Sequence, residues 1–598
     1  MKTLKKRNEV EKKDTWDLES LYATDEAWEE DLKKTEQMLI KFQSMEGNLG
    51  NSPKYLKDAM DLYYEMYCKL DSVYVYAQQR RDQDTADAYY QQVAMRSEDL
   101  MVKLDSGSAF LNPEILSLTE EWVNRAMEEE NGLSGYKRVF HEIFRMNKHT
   151  RSGEVEALLA DAMDMGNAPS NIYRMLENAD MKYPKVKDEQ NNLVDLTDSS
   201  LVPLLESEDR KVRKEAFETY YKVRDQYKNT FASIFASNVK QAVFFARARN
   251  YPSSRASYLN QGNIPEAVYD NLIETVHKNL DTMYRYVSLR KKMLGVEELH
   301  MYDVYAPIVS ESGKEYSFEE AKTIVADGLK PMGEEYLKIL KEGFENRWID
   351  VYENEGKRSG AYSWGSYESQ PYVLLNYRGT LDNVFTLAHE MGHSIHSYYS
   401  KKNQPFAYAG YKIFVAEVAS TCNEALLIHH LLEKTEDKNE RMVLINHFLD
   451  KFKGTIYRQT MFAEFEHQMH KKAEEGKPLT AQVISQAYHE LNQLYFGPDM
   501  VSDEAIGLEW TRIPHFYTPF YVYQYATGFS AAIALSNRIL KEGSVAVEQY
   551  KEFLKGGCSL DPIDLLKLAG VDMMTPEPIQ SALDVFRGLV DELEKMVV

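Results

Sequence analysis

Hydrophobic residues recur mainly at helical spacing along this chain of 598 residues. Apolar positions three and four apart, with polar positions between them, are typical of amphipathic helices. Helical patterns are predicted over 72–103, 208–250, 265–293 and 317–344, and further helices are predicted to begin at 24–28, 52–53 and 112–114. The pattern therefore predicts a mainly α-helical protein.

Strand-like patterns are confined to two short regions. In residues 181–196, apolar segments flank a polar turn, which predicts a small hairpin. We place a domain boundary just after it, between an N-terminal helical lobe (1–200) and a catalytic domain (201–598). Residues 348–377 contain three more strand-like segments and predict a small β-sheet next to the helix described below.

A His-Glu-x-x-His motif, His389 to His393, lies within another helical pattern, with Asp382 as its predicted N-cap. On a helix, residues four apart project from one face, so His389 and His393 can bind one metal ion together. Glu390 points away from this pair and can reach a metal-bound water without binding the metal. Gly392 is unfavourable within a helix, and we expect it to let another segment pack close.

A catalytic zinc ion needs a third protein ligand and one open position. Glu417 is the first carboxylate after the motif, in a stretch from Phe414 to Glu424 that is predicted to be a second helix. The polar residues 401–405 can turn this helix back against the first, so Glu417 is the predicted third ligand of one Zn²⁺ per chain. Glu424 lies two turns further on the same face, and we expect it to orient a ligand histidine.

The spacing excludes one large group of zinc proteases. A metzincin requires glycine and histidine at the positions of His396 and Tyr399. The motif, the Glu417 stretch ending in Glu424, and a His- and Tyr-rich segment from His515 instead resemble the thimet-oligopeptidase-like (M3) zinc peptidases, and among them the oligoendopeptidase F family. The resemblance extends over nearly the whole chain.

This resemblance implies two helical lobes around a deep substrate channel, with a zincin-like core at the metal. It also implies cleavage of internal bonds in short oligopeptides, with Glu390 as general base. Two alternatives stay open: a dipeptidyl carboxypeptidase-type exopeptidase of the same family, and a non-catalytic helical binding protein with a relict metal site. Glu390 argues against the binding protein, because a pure binder needs no base beside two ligands.

Histidine and tyrosine in the segment from His515 can donate hydrogen bonds to the oxyanion that forms during amide hydrolysis. The resemblance assigns this role to His515 with Tyr521 and Tyr525, and substrate binding to Tyr517 and Tyr523. The tyrosine spacing of the family does not map cleanly onto this chain. The choice among the four tyrosines therefore stays open.

The predicted sheet offers a second place for substrate. Gly360, Ala361 and Tyr362 are expected on an edge strand that pairs with an extended peptide. A glycine allows the peptide backbone to approach closely. A purely structural hairpin would give the same pattern, and the two interpretations are compatible.

Composition narrows the expected partners and compartment. The net charge of −23 argues against nucleic acid and anionic membranes as partners. The three cysteines are far apart and suggest no disulfide framework. Neither a signal-peptide core nor a membrane-spanning run is found in the sequence. We therefore expect a cytoplasmic enzyme that acts on short peptides, and the sequence does not indicate its oligomeric state.

Overall fold

The computed structural model describes residues 4–309 and 313–597 and is mainly α-helical, as predicted. The helices are α1 (Asp25–Gln43), α2 (Pro53–Gln83), α3 (Ala88–Ser108), α4 (Leu111–Ser117), α5 (Glu120–Glu129), α6 (Lys137–Met146), α7 (Gly153–Gly166), α8 (Ala168–Met175), α9 (Asp198–Leu205), α10 (Arg210–Ala248), α11 (Ser254–Gln261), α12 (Glu266–His277), α13 (Leu280–Leu294), α14 (Phe318–Gly328), α15 (Gly333–Glu345), α16 (Leu381–Asn403), α17 (Phe406–Ala409), α18 (Ile413–Ala416), α19 (Val418–Lys434), α20 (Lys438–Phe452), α21 (Arg458–Glu474), α22 (Ala481–Phe496), α23 (Tyr523–Glu542), α24 (Ser544–Lys555), α25 (Pro562–Leu568) and α26 (Glu577–Val597). The strands are β1 (Val186–Lys187), β2 (Leu193–Val194), β3 (Leu299–His300), β4 (Ile349–Asp350), β5 (Tyr362–Trp364), β6 (Tyr372–Leu374) and β7 (Met500–Val501). Across the described residues, every helix is too short or too polar to span a lipid bilayer.

Polar caps mark three of the helix starts that the sequence predicts. The side chain of Thr24 caps α1 and that of Ser52 caps α2, each by accepting a hydrogen bond from a first-turn amide. The helix predicted over 208–250 is α10, which Asp209 caps in the same way. Each cap satisfies an amide that has no partner within its helix.

Three helical patterns that the sequence joins are each divided in two. The predicted helix over 72–103 is wrong, because the chain leaves α2 after Gln83, and Asp87 then caps α3 as a new helix. Residues 265–293 form α12 and α13, and residues 317–344 form α14 and α15. The break between α14 and α15 contains Pro331, which has no backbone amide hydrogen to continue a helix.

The chain divides into two compact units, each assembled from separate segments. The first unit contains the described parts of 1–148, 314–430 and 535–570, and the second contains those of 149–313, 431–534 and 571–598. The predicted division of the sequence at residue 200 stays a prediction.

In the first unit, helices pack around a core that reaches the small sheet. The indole N–H of Trp28 on α1 donates a 2.9 Å hydrogen bond to the carbonyl oxygen of Val73 on α2. Tyr372 and Leu374 of β6 belong to the same hydrophobic core. The sheet has the order β4-β6-β5, with β4 parallel and β5 antiparallel to β6. The sheet predicted over 348–377 is therefore present, and β5 is an edge strand.

In the second unit, α10 lies at the centre of the core. The ring of Phe235 on α10 lies 6.0 Å from that of Phe465 and 5.8 Å from that of Trp510. β1 and β2 form the antiparallel hairpin that the sequence predicts. The parallel pair β3–β7, which joins Leu299 to Met500, was not predicted, because two-residue strands far apart in sequence leave no pattern.

Candidate metal centre

The His-Glu-x-x-His motif lies in the middle of α16. Thr380 caps this helix by accepting a hydrogen bond from the amide of Asn383. The prediction of Asp382 as the cap is wrong, since it lies in the first turn, where a carboxylate is favoured by the helix dipole. α16 packs against α14, α15, α24 and β5, all within the first unit.

Three of the predicted site residues come together beside this helix. The Nε2 atoms of His389 and His393 are 3.2 Å apart, and Oε2 of Glu417 lies 3.3 Å from each of them. A tetrahedral zinc-type site with bonds of about 2.0–2.1 Å needs ligand atoms about 3.3–3.4 Å apart. The three atoms therefore fit one small metal ion with a fourth position open. Among the residues that the structure describes, this is the only such group of three or more.

Glu417 reaches the site from a break between two helices. α18 ends at Ala416, Glu417 is its C-cap, and α19 begins at Val418. The prediction of one continuous helix over 414–424 is therefore wrong at this residue. The hydroxyl of Ser420 lies 3.1 Å from Oε2 of Glu417 and can donate a hydrogen bond that fixes the carboxylate.

α16 and α19 come into backbone contact at Gly392. A Cβ atom on this residue would lie 2.6 Å from Cα of Ser420, closer than real Cβ contacts. The side-chain amide of Asn423 also donates a 3.0 Å hydrogen bond to the carbonyl oxygen of Ala388. The expected close approach of another segment at Gly392 is confirmed, and this contact brings Glu417 beside the histidines.

Two more carboxylates adjoin the triangle. Oε1 of Glu424 lies 2.6 Å from Nδ1 of His389, which leaves Nε2 of that ring facing Glu417. Glu390 is only 7% exposed, and within the described part of the chain its Oε2 has no hydrogen-bond partner. A buried carboxylate oxygen is stable only with a partner, so this atom is available to a ligand at the site.

The residues of the triangle shift one another's pKa values. Burial alone would lower the pKa of His389, but hydrogen bonds to Glu417 and Glu424 outweigh it and raise the pKa to about 10. Burial alone would raise the pKa of Glu417, but hydrogen bonds from His389 and His393 hold it well below its ordinary value. Burial also raises the pKa of Glu390. The cluster therefore favours positive charge at its centre, and a metal cation can take the place of protons there.

The predicted substrate strand lies next to α16. Gly360 and Ala361 precede β5 and line a pocket of about 320 Å³ together with Thr386, which lies one helical turn before His389. The hydroxyl of Tyr362 donates a 2.9 Å hydrogen bond to Asp82. The side chain of Tyr362 is thus engaged within the protein, and its backbone is the part that a peptide can pair with.

One contact that the sequence analysis missed joins the strand to the helix. The hydroxyls of Ser363 on β5 and Ser394 on α16 are 2.8 Å apart. Neither serine belongs to a motif, and only the fold brings them together. The contact therefore could not be predicted from the residues around these two serines.

The His- and Tyr-rich segment belongs to the second unit. His515 lies in the short helical turn Pro514–Tyr517, and Tyr525 lies in the first turn of α23. Nε2 of His515 is 3.3 Å from the hydroxyl of Tyr525, and the ring of Tyr521 lies 6.1 Å from His515 and 5.4 Å from Tyr525. Burial lowers the pKa of His515, which favours the neutral ring. These three predicted residues thus form one polar cluster.

The other two predicted tyrosines lie deeper in the second unit. Tyr517 stacks on Tyr173, with ring centroids 4.3 Å apart. Tyr523 is 2% exposed, and its ring lies 5.1 Å from that of Tyr269. Both take part in internal packing, and their role in substrate binding stays a prediction.

Comparison with known proteins gives similarity over nearly the whole chain. The sequence model of Peptidase family M3 matches residues 203–585, and that of Oligopeptidase F matches residues 114–183. The oligopeptidase PepF of Bacillus subtilis (strain 168) is 48% identical over 592 residues, covering 99% of this chain and 88% of that protein.

Solved structures agree with the sequence matches. The crystal structure of oligoendopeptidase-F from Enterococcus faecium has a TM-score of 0.76 and 38% identity, covering 96% of this chain and 99% of that one. A crystal structure from Chlamydophila abortus has a TM-score of 0.93 and 35% identity, covering 99% of this chain and 100% of that one. The fold is thus shared with proteins of clear sequence similarity.

Proposed function

This chain belongs to peptidase family M3, and from that premise we propose that it is a zinc-dependent endopeptidase that hydrolyses internal bonds of short oligopeptides. Membership of this family confirms the resemblance to the oligoendopeptidase F family. It also identifies the chain as an enzyme, a metallopeptidase. The metal, the residue roles and the internal position of the cut belong to the proposal.

The triangle of His389, His393 and Glu417 is the observation that supports the proposal most directly. Two histidines, one carboxylate and an open fourth position are a ligand set that catalytic zinc uses in peptidases. We therefore assign one Zn²⁺ per chain to these residues. Bound there, zinc would polarise the scissile carbonyl and acidify the attacking water.

Glu390 is proposed as the general base. Its buried Oε2 adjoins the ligand residues, so it can take a proton from the attacking water and pass it to the leaving amine. Glu424 acts through His389, because its hydrogen bond fixes which ring nitrogen faces the metal.

His515, Tyr521 and Tyr525 are proposed to stabilise the oxyanion. The family likeness supports this role, and the 3.3 Å contact between His515 and Tyr525 supports joint action. Hydroxyl and imidazole N–H groups held in place are effective donors because they need no reorganisation when charge develops.

The substrate is proposed to extend along β5. An edge strand offers unpaired backbone groups to a peptide, and Gly360 and Ala361 leave the backbone accessible at its start. By family likeness, we propose that the enzyme admits short unfolded peptides. The B. subtilis relative is itself named an oligopeptidase.

The proposed setting is the cytoplasm, with short peptides as substrates and neither nucleic acid nor a membrane as a partner. A net charge of −23 disfavours nucleic acid and anionic membrane surfaces. Widely spaced cysteines are typical of proteins from reducing compartments.

Product mapping by mass spectrometry tests this function. Peptides of graded length and one folded protein are incubated with the enzyme, with a chelator, and with zinc restored after chelation. We expect internal cuts in short peptides, loss of activity with the chelator, recovery with zinc and no cleavage of the folded protein. Uniform release of C-terminal dipeptides would favour the exopeptidase alternative. Absence of any metal-dependent cleavage would favour a binding protein with a relict site.

A further inference from the structure

Lys401, two turns beyond the ligand His393 on α16, makes an unusual pair of contacts. Its Nζ donates hydrogen bonds of 2.8 and 2.7 Å to the carbonyl oxygens of Gly365 and Ser366, which directly follow β5. Burial of the amine lowers the pKa of Lys401 to about 8. Because a buried ammonium is unfavourable without strong partners, two aligned carbonyl oxygens are needed to hold it there. The contact therefore fixes the chain just after the edge strand.

A second contact holds the same strand two turns earlier on the helix. Ser394 and Lys401 are seven positions apart, so they project from the same face of α16. Ser394 donates a 2.9 Å hydrogen bond to the carbonyl oxygen of Glu390, and its oxygen is then free to accept from Ser363 at 2.8 Å. The metal-binding helix thus holds β5 at its middle and just beyond its end.

The turn after β5 is also held from its other side. A Cβ atom on Gly365 would lie 2.7 Å from the carbonyl oxygen of Gln370, so the turn is tight. The amide of Tyr367 donates a 2.7 Å hydrogen bond to Asp71 on α2. One edge of β5 pairs with β6, which leaves only the opposite edge for a peptide. These contacts give the strand a fixed position relative to His389 and the other ligands on α16.

We propose that Lys401 is a positioning residue that sets the register of the peptide: by fixing β5 and the turn after it on α16, it determines which peptide bond lies at the metal. The inference rests on the proposed function, since it requires a peptide paired with β5. Lys401 itself touches neither the ligand triangle nor the reacting bond. Its effect reaches the substrate through the carbonyl oxygens of Gly365 and Ser366.

A positioning role and a purely structural role have different consequences. Loss of a structural contact lowers stability and leaves the choice of cleaved bond unchanged. Loss of a register contact lets β5 shift along α16, so a long peptide is cut at additional neighbouring bonds. Short peptides that reach only the start of β5 are affected less, because they do not pair near Gly365.

The test is Lys401→Met, which keeps most of the length of the side chain and removes the donor. Cleavage by the zinc-loaded full chain is measured on one long peptide and on one truncated around the main cut site. We expect kcat/KM for the long peptide to fall by about tenfold to a hundredfold, as for other small misplacements of substrate. The truncated peptide is expected to lose much less, and mass spectrometry is expected to show new cut positions in the long one. Zinc content should be unchanged.

Lys453→Met is the matched control for lost stability. Lys453 lies in the second unit, and its buried amine also donates to a backbone carbonyl, that of Val304 at 3.1 Å. The Lys453→Met substitution should lower the melting temperature without changing the cut positions. Ser363→Ala removes the other contact and should shift the cut positions in the same way, so the proposal stays testable if Lys401→Met fails to fold.

The outcomes separate this inference from the proposed function. If wild-type enzyme cleaves internally and both Lys401→Met and Ser363→Ala cut the same bonds in the same ratio, the register role is overturned. If the wild-type enzyme shows no metal-dependent cleavage, the proposed function itself has failed. Rescue of single-position cutting by Lys401→Arg, which restores a donor, would support the proposal further.

Discussion

Replacing Gly392 with alanine tests whether a backbone contact sets the geometry of the metal site. The new Cβ would lie 2.6 Å from Cα and 2.9 Å from the backbone nitrogen of Ser420. Carbon atoms in contact are normally about 3.5–4.0 Å apart, so the start of α19 must retreat by about 1 Å. Backbone atoms cannot rotate aside as a flexible side chain can.

This retreat carries Glu417 with it, because Glu417 directly precedes α19. Its carboxylate oxygen now lies 3.3 Å from Nε2 of both His389 and His393. Moved by about 1 Å, it would lie about 4 Å away, too far for an ion with bonds of about 2.0–2.1 Å to contact all three ligands. We expect zinc affinity to fall by about tenfold to a hundredfold, as when supporting contacts of other metal sites are disturbed.

Competition with a chromophoric chelator measures this affinity, and kcat/KM at limiting zinc should fall with it. Stability is a poorer readout, because alanine gains up to about 1 kcal/mol in a helix while overpacking costs about 1–3 kcal/mol. Gly588→Ala in α26 is the matched control, since its Cβ would meet no atom within 4 Å. That variant should be as stable as the wild type or more so, with unchanged zinc affinity.

A Gly392→Ala enzyme with wild-type zinc affinity and wild-type kcat/KM would refute this reasoning. It would mean that α19 accommodates the methyl group without moving Glu417. Equal weakening of zinc binding by the Gly588→Ala control would also contradict it, because the effect would then not be specific to the contact.

Three further substitutions test the general base, the support of a metal ligand and the pH dependence of stability. Glu390→Gln should lower kcat by about a hundredfold to ten-thousandfold, as for loss of a general base, with zinc content unchanged by metal analysis; full activity would exclude Glu390 as the base. Glu424→Gln should weaken zinc binding by about tenfold to a hundredfold, because His389 loses its charged partner; unchanged affinity would remove Glu424 from the site. Burial raises the pKa of Glu466 to about 8, above its unfolded value of 4.5. Between these two pH values the folded protein keeps the proton that the unfolded chain has lost, so the free energy of unfolding falls as pH rises from about 4.5 to about 8. Glu466→Gln should remove this fall, and a melting-temperature difference from wild type that does not grow between about pH 5 and 8 would contradict it.

The grouping of His389, His393 and Glu417 could be predicted from sequence because its constraints are local. His389 and His393 are four residues apart on one helix, which fixes their common face. Glu417 could be predicted as the third member because it is the first carboxylate after the motif. The close contact at Gly392 could be predicted because a glycine beside two such histidines leaves room for another segment. The predicted helix around Glu417 was nevertheless wrong, since the break before Val418 leaves the hydrophobic pattern continuous.

Features that depend on distant contacts could not be predicted. The division of 72–103 into α2 and α3 depends on the cap at Asp87, while the apolar pattern continues across it. The pairing of β3 with β7 joins residues far apart in sequence. The contact of Lys401 with Gly365 and Ser366 uses backbone oxygens, which every residue has, so no residue type signals it.

The segmented first unit has a consequence for how the protein is made. Its last segment, 535–570, contains α24, which packs on the metal-binding helix, where Phe553 lies 5.3 Å from His396. At roughly 5–20 residues per second, a ribosome needs about 8–33 seconds to go from the end of α16 at Asn403 to residue 570. For all that time α16 lacks part of its cover in the nascent chain. The metal-binding helix is therefore fully covered only after residue 570 has been made, and a chain released earlier lacks this part of the first unit.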